Sequence, residues 1–356
     1  MRRVLLLTSH RPDTTVSYYL DWAEAFCEHP SLDVDVLDTQ TSRRRLALEL
    51  FKRRRRTYDL IVFPYGFYPR NTDTWRRALF QTLADKAAKK VFFLENEYRL
   101  LNKKLAYATV LDADYVTTQL PKDVADRIYA PFLDPARIVA LPHALNPKAA
   151  AGVNHEKARP IDLTFRGDVY PAYLGHQERQ LLASFFEQNA ERWGLTIETN
   201  LGRGQRLERS GWLNCLAQAA GVLHHESGSD YLETNDVRRA AANALEDGGA
   251  SLEEIQAKVF ADCADPISGR CISSRHFDAI ATRTCQIMFR GRYNDLLVAD
   301  EHYLALEKDF SNADDVIARF KDPAHRDAIV HRAYEHALSA HTHRHRIDHL
   351  LQRVGL

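Results

Sequence analysis

Ile161-Asp162-Leu163-Thr164-Phe165-Arg166-Gly167-Asp168 is the stretch on which the architecture turns. Its first five residues read as a β-strand, and Arg166-Gly167-Asp168 ends it as a tight polar loop. A helical pattern follows, carrying Leu181, Leu182, Phe185, Phe186 and Trp193, with Gly194 placed as its C-cap. The preceding residues, 146–160, hold three consecutive alanines, Gly152 and Pro160 with no periodic apolar face, and read as a linker. A strand, a loop and a helix restarting after a linker mark a second α/β unit.

Upstream, the same alternation has already run its course once. Candidate strands are Val4–Thr8, Leu32–Leu37, Leu60–Tyr65, Val91–Glu95, Tyr115–Thr118 and Ile138–Leu141. Val16, Tyr19, Leu20, Ala23 and Phe26 recur at helical spacing between the first two, and Trp75, Leu79, Leu83 and Ala87 do so before the fourth. Downstream, Leu195–Glu198, Val222–His225, Gln286–Phe289 and Tyr303–Leu306 continue the second unit. A polar insert between His225 and Ile272 contains a capping box at Ser251–Glu254, so part of it is helical. Strands alternating with helices predict parallel sheets, doubly wound, and in such sheets ligands sit at the carboxyl ends of the strands. The expected fold class is therefore α/β with two Rossmann-like domains.

A chain of 356 residues suits two cores better than one. Hydrophobic residues make up 45% and charged residues 27%, an ordinary globular balance. The 48 basic and 48 acidic side chains cancel, which argues against a nucleic-acid partner. Five cysteines without C-x-x-C spacing fit reduced thiols and a cytoplasmic protein. The apolar run Val4–Leu7 is too short for a signal peptide, and no stretch approaches the roughly 18 residues of a membrane span. Arg43–Arg45 and Lys52–Arg56 flank Leu46, Leu48, Leu50 and Phe51. Segment 43–56 thus reads either as a solvated helix face or as a peripheral contact with anionic lipid at the inner membrane face.

Three loops have the composition to bind a phosphorylated ligand. Arg166 and Gly167 offer a cation and a close backbone approach, though no G-x-G-x-x-G or P-loop accompanies them. Glu226, Ser227 and Gly228 follow another strand end. Ser273 or Ser274 can cap a helix whose positive end favours an anion, with Arg275 in its first turn to neutralise a diphosphate. Asp278 lies one turn on, where a carboxylate can receive both ribose hydroxyls. His341, His345 and His349 repeat at i, i+4 and i+8, but no acid or cysteine completes a tetrahedral set, so no metal site is expected.

From about Ile272 onward the chain resembles the spore-maturation-protein-like glycosyltransferases of the GT-B superfamily. The resemblance is carried by Arg275-His276-Phe277-Asp278-Ala279-Ile280-Ala281, by the strand Gln286–Phe289 and by Ala340-His341-Thr342-His343-Arg344-His345-Arg346 before a final helix. Leu141-Pro142-His143 and the Phe165–Gly167 strand end resemble landmarks of the same family.

That resemblance implies two Rossmann-like domains facing each other across a cleft. Residues 1–150 would bind the acceptor and 151–340 a nucleotide-sugar donor, while 341–356 would form a helix crossing back to the first domain. It implies transfer of a sugar to an acceptor hydroxyl on a glycan, lipid or small molecule, with no cofactor and no essential metal. Arg275 would contact the donor diphosphate and Asp278, an Asp where the family has Glu, the ribose. Retaining members carry a second Glu eight residues earlier, where this chain has Arg270, so the stereochemical course is not inherited. Inverting chemistry needs a base on the first domain, for which His10, Glu95 and Glu97 are the candidates. A sugar-nucleotide 2-epimerase and a catalytically silent nucleotide-sugar-binding protein are the competing readings.

Overall fold

The computed structural model describes residues 1–9, 16–83, 88–152, 158–202 and 207–356, which form two compact units. The first comprises Met1–Pro142, Leu232–Asp236 and His343–Leu356; the second comprises His143–Tyr231 and Val237–Thr342.

In the first unit, six strands run parallel: β1 (Arg2–Thr8), β2 (Leu32–Asp38), β3 (Leu60–Phe63), β4 (Lys89–Phe93), β5 (Tyr115–Thr118) and β6 (Ile138–Ala140). Their order is β2-β1-β3-β4-β5-β6. Leu60–Phe63 are all buried, as expected of a strand covered on both faces. One face receives the helix Ser17–Glu28, whose Trp22 and Phe26 pack edge-on against Phe93 at centroid distances of 5.2 and 6.3 Å. The same core takes in Ile347, Leu350, Leu351 and Val354 from the last helix, His343–Val354. That i, i+3, i+4, i+7 stripe is fully covered, and His343 sets its ring against Trp22 at 4.9 Å.

The second unit holds five parallel strands: β7 (Ile161–Gly167), β8 (Ile197–Leu201), β9 (Ala219–His224), β10 (Cys285–Phe289) and β11 (Leu304–Leu306), in the order β11-β10-β9-β7-β8. On one face Leu182 and Phe186 of the helix Glu178–Trp193 pack with Phe165, Leu223 and Ile287. On the other, Phe277 and Ile280 of the helix Ser274–Ala281 join Met288, Ala305 and Ala333. Each such fully buried side chain contributes about 1.5–3 kcal/mol. Gly194 caps its helix in the left-handed region at φ +59°, as its position suggested. The insert folds as Val237–Asp247 and Leu252–Ile255, the latter opened by a Ser251–Glu254 capping box in which each side chain meets the other's backbone N–H.

Two segments sit differently from their sequence reading. Within the expected linker, Ala150 is buried in the second unit's core beside Leu145, which also accepts a parallel bridge from Thr342. Ala151 and Gly152 beside Ala150 are exposed. Leu232–Asp236, in the middle of the insert, belongs with the first unit: both Asp236 oxygens accept the Leu100 N–H at 2.9 Å, and Asn102 N–H donates to Thr234 O at 3.0 Å. Among the described residues, no helix is long and apolar enough to cross a membrane.

Candidate functional site

Strand order in the second unit reverses between β7 and β9: the chain leaves β7 toward β8 on one side and returns to β9 on the other. At such a reversal the loops diverge and leave a crevice at the carboxyl edge. Arg166 and Gly167 end β7 there, and His225–Asp230 leave β9 there.

The helix Ser274–Ala281 brings its first turn to the same edge. Arg275 Nη1 donates to the carbonyl oxygen of Arg166 across 3.0 Å. Ser273 closes the helix start by donating its N–H to His276 Nδ1 at 3.0 Å. His276 in turn lies between the rings of His224 and Tyr293, at 5.0 and 5.2 Å, and Tyr293 N–H donates to Glu226 Oε1 at 2.7 Å. The three polar loops singled out from the sequence therefore meet at one sheet edge. Asp278 is linked to Arg275 through Trp212, whose indole N–H donates to Asp278 Oδ2 at 2.9 Å while the Arg275 guanidinium lies 5.9 Å from its ring. Asp278 is only 5% exposed, so this acid expected to meet a ribose is engaged in holding Trp212.

Gly228 is required by geometry. Its φ is +98°, and a Cβ there would lie 1.9 Å from the Gly269 carbonyl oxygen. Ser227 and Cys271 exchange backbone hydrogen bonds at 2.9 Å on either side of this contact. The pairing delivers Arg270 into an ion network whose centre, Arg270 and Glu178, is buried and whose rim is exposed. Its guanidinium donates to Asp230 Oδ1 and to Glu178 Oε2, both at 2.7 Å, and Lys308 Nζ lies 2.8 Å from Glu178 Oε1. Burial opposes ionisation of Glu178, but the Arg270 charge outweighs it and holds the carboxyl below its ordinary range. Burial pushes Glu226 the other way, above the usual carboxylate range.

Glu178 and its neighbour Arg179, which stacks 3.8 Å over Tyr170 and donates to Asp168 O at 2.7 Å, were not legible as site residues. Nor were Trp212, Lys308 and His176. The only sequence signal for Glu178 was its place in the first turn of a helix after β7, where an acid is ordinary. Four imidazoles are buried here: desolvation lowers His224 and His225 well below the usual histidine range, and His176 and His276 to about 4. They are neutral at physiological pH, so the positive charge at this edge comes from arginine and lysine. Among the described residues, no three His, Cys, Asp or Glu side chains are grouped to hold a metal. His341 of the C-terminal histidine series pairs instead with His336, Nε2 to Nε2 at 3.1 Å.

The candidate bases lie on the first unit. Glu95 follows β4 and accepts Tyr19 OH at 2.7 Å and Tyr18 OH at 3.4 Å on Oε2; burial raises its carboxyl above the ordinary range. Lys104, lowered by burial to about 8, donates to the Glu95 and Asn96 carbonyls. Glu97 is spoken for: Oε2 accepts Thr118 Oγ1 at 2.6 Å and Tyr129 OH, while Oε1 accepts Gln119 N–H at 2.8 Å. Those three donors come from β5 and the segment after it, so Glu97 ties the sheet edge together. His10 lies outside the described residues.

Residues 222–352, which span the loop after β9, the Arg275 helix and the last helix, match the family model described as Glycosyl transferase-like. The whole length of the chain also aligns with solved structures. HepE from Anabaena, crystallised with UDP and glucose, aligns over 100% of both chains with a TM-score of 0.52 and 10% identity. A glycosyltransferase from Rickettsia africae aligns over 99% of this chain and 97% of its own, with a TM-score of 0.53 and 10% identity. At such identity the likeness carries the fold, two Rossmann-like units of the GT-B type. No curated protein sequence matches significantly.

Proposed function

We propose that this glycosyl transferase-like chain moves a sugar from a nucleoside diphosphate donor to an acceptor hydroxyl, and that the donor lies at the β7/β9 crevice of the second unit. The observation that carries this reading is the seating of Arg275 on the Arg166 carbonyl, which fixes one cation at a helix start beside the end of β7. A departing diphosphate gathers negative charge, and pre-positioned cations and helix N–H groups are the groups that stabilise it. Arg275 and Arg166 supply that charge without a metal. Ser273, Ser274, Gly167 and the Glu226–Gly228 turn offer backbone and hydroxyl groups to phosphate and sugar. Of the three candidate bases, Glu95 takes the assignment, because Tyr18 and Tyr19 orient its carboxyl while the Glu97 oxygens are taken up by Thr118, Gln119 and Tyr129. UDP is the first nucleotide to try, since HepE was crystallised with it.

Arg270 favours a second reading, a silent nucleotide-sugar binder, because a cation bound to Glu178 and Asp230 stands where retaining relatives carry an acid. One experiment addresses both. Thermal stability is measured against a panel of nucleoside diphosphates and sugar nucleotides, with and without EDTA; a ligand at a hundred times its Kd adds about 2.7 kcal/mol. Release of nucleoside diphosphate from the stabilising donor supports the transferase. Stabilisation with no release, even over long incubation with hydroxyl acceptors, supports the binder, and no stabilisation by any nucleotide refutes both.

A further inference from the structure

Helix Arg43–Arg53 presents two faces to two solvents. Ser42 opens it by accepting the Arg45 N–H, and Leu46 and Leu50 turn into the first unit at 0% and 7% exposure. On the opposite side Leu48 and Phe51 are 51% and 57% exposed. Arg44, Leu48 and Phe51 stand at i, i+4 and i+7, one stripe along the outer face, and Arg55 follows just past the C-cap.

The acids nearby are already taken. Glu49 pairs with Lys52 at 2.8 Å and with Arg53 at 2.6 Å, and Asp35 pairs with Arg53 and Arg56 at 2.7 Å. Arg43, Arg44, Arg45 and Arg55 form no ion pair among the described residues. The Arg54 guanidinium lies 3.6 Å over the Phe51 ring, which sets a further positive charge against one face of that apolar tip. In a chain whose 48 basic and 48 acidic groups cancel, this is a concentrated local excess of positive charge around two exposed apolar side chains.

We propose that this face is a docking surface for an anionic lipid bilayer, with Leu48 and Phe51 entering the interface and the arginines meeting headgroup phosphates. Two apolar tips are far short of the roughly 800 Å² per partner that a stable protein interface buries. A bilayer needs only a shallow apolar insertion reinforced by basic residues, each attracted by about 1 kcal/mol to an anionic surface. The site is separate from the donor crevice and stands whether or not that reading holds.

Flotation of the full chain with vesicles tests it. We expect binding to phosphatidylcholine vesicles containing phosphatidylglycerol and not to phosphatidylcholine alone, with the bound fraction falling as salt is raised. Leu48→Ser/Phe51→Ser and Arg44→Gln/Arg45→Gln should each weaken binding by on the order of tenfold. Both pairs are exposed, so the thermal midpoint should not move, which separates lost docking from lost folding. Equal binding to both vesicles, no binding to either, or anionic-vesicle binding that survives Leu48→Ser/Phe51→Ser overturns the proposal. So does a dimer in solution that the same substitution splits.

Discussion

The guanidinium of Arg275 and the main-chain carbonyl of Arg166, 109 residues apart in sequence, are joined by a single 3.0 Å hydrogen bond. The bond uses one nitrogen of Arg275 and leaves its charge intact, so the side chain is aimed without being neutralised. Arg275→Ala should therefore weaken nucleoside diphosphate binding by about 1.5–3 kcal/mol, the range for hydrogen bonds to charged groups. Nucleoside binding should suffer less. Calorimetric titration of the two ligands decides it, and equal losses would refute the phosphate assignment.

Arg270 is a stability prediction. Its side chain and that of Glu178 are 10% and 9% exposed, so Arg270→Met leaves the buried Glu178 carboxylate with only the exposed Lys308 as a cationic partner. The expected cost is about 3–5 kcal/mol, read by denaturant unfolding. The native Glu178 carboxyl is depressed, so its contribution is present above the ordinary Glu value of about 4.3 and is lost as pH falls through the lower folded-state value. Arg270→Met should flatten that acid limb; a variant whose stability falls with acid as steeply as the parent's would contradict the assignment.

Gly228→Ala forces a Cβ onto the Gly269 carbonyl at a positive φ. Because backbone meets backbone there, the Ser227–Cys271 pairing must open, at about 1–3 kcal/mol for the strained conformation alone. Donor affinity should fall together with thermal stability. Donor affinity at the parent's level would show that the turn contributes nothing to the ligand.

Glu95→Gln should lower turnover by about 10²–10⁴-fold while leaving diphosphate affinity in place. Because burial raises this carboxyl, the acid limb of kcat/KM should lie above the ordinary glutamate range and vanish in the variant. Glu97→Gln should do the reverse, lowering the melting temperature with little change in that limb, since its oxygens serve Thr118, Gln119 and Tyr129. Parallel pH profiles for the two variants would undo the distinction.

Much of this fold could be read from local pattern. The β7 strand was visible because Ile161–Phe165 is bounded by Arg-Gly-Asp, and the Ser273 cap because a serine precedes a helical apolar face. What escaped was fixed by partners far away in sequence. Glu178 is tied to Arg270, 92 residues on, and Asp278 to Trp212, 66 residues back. Neither pairing leaves a periodicity. Glu95 and Glu97 look equivalent in sequence, and only their hydrogen-bond partners tell them apart. Residues 146–160 read as a spacer because alanine and glycine carry no pattern, yet Ala150 is buried in the second unit's core.

The first unit closes its hydrophobic core with Ile347, Leu350, Leu351 and Val354, which the ribosome makes only after the second unit. While the second unit is being synthesised, Trp22 and Phe93 wait without that wall. Domains usually fold in the order they emerge. Here the earlier one can reach its final packing only after the later one has been threaded out, so nascent chains stalled short of residue 343 should expose an aromatic surface that chaperones recognise. A stop codon just before residue 343 would thus damage the unit that was translated ahead of the second one.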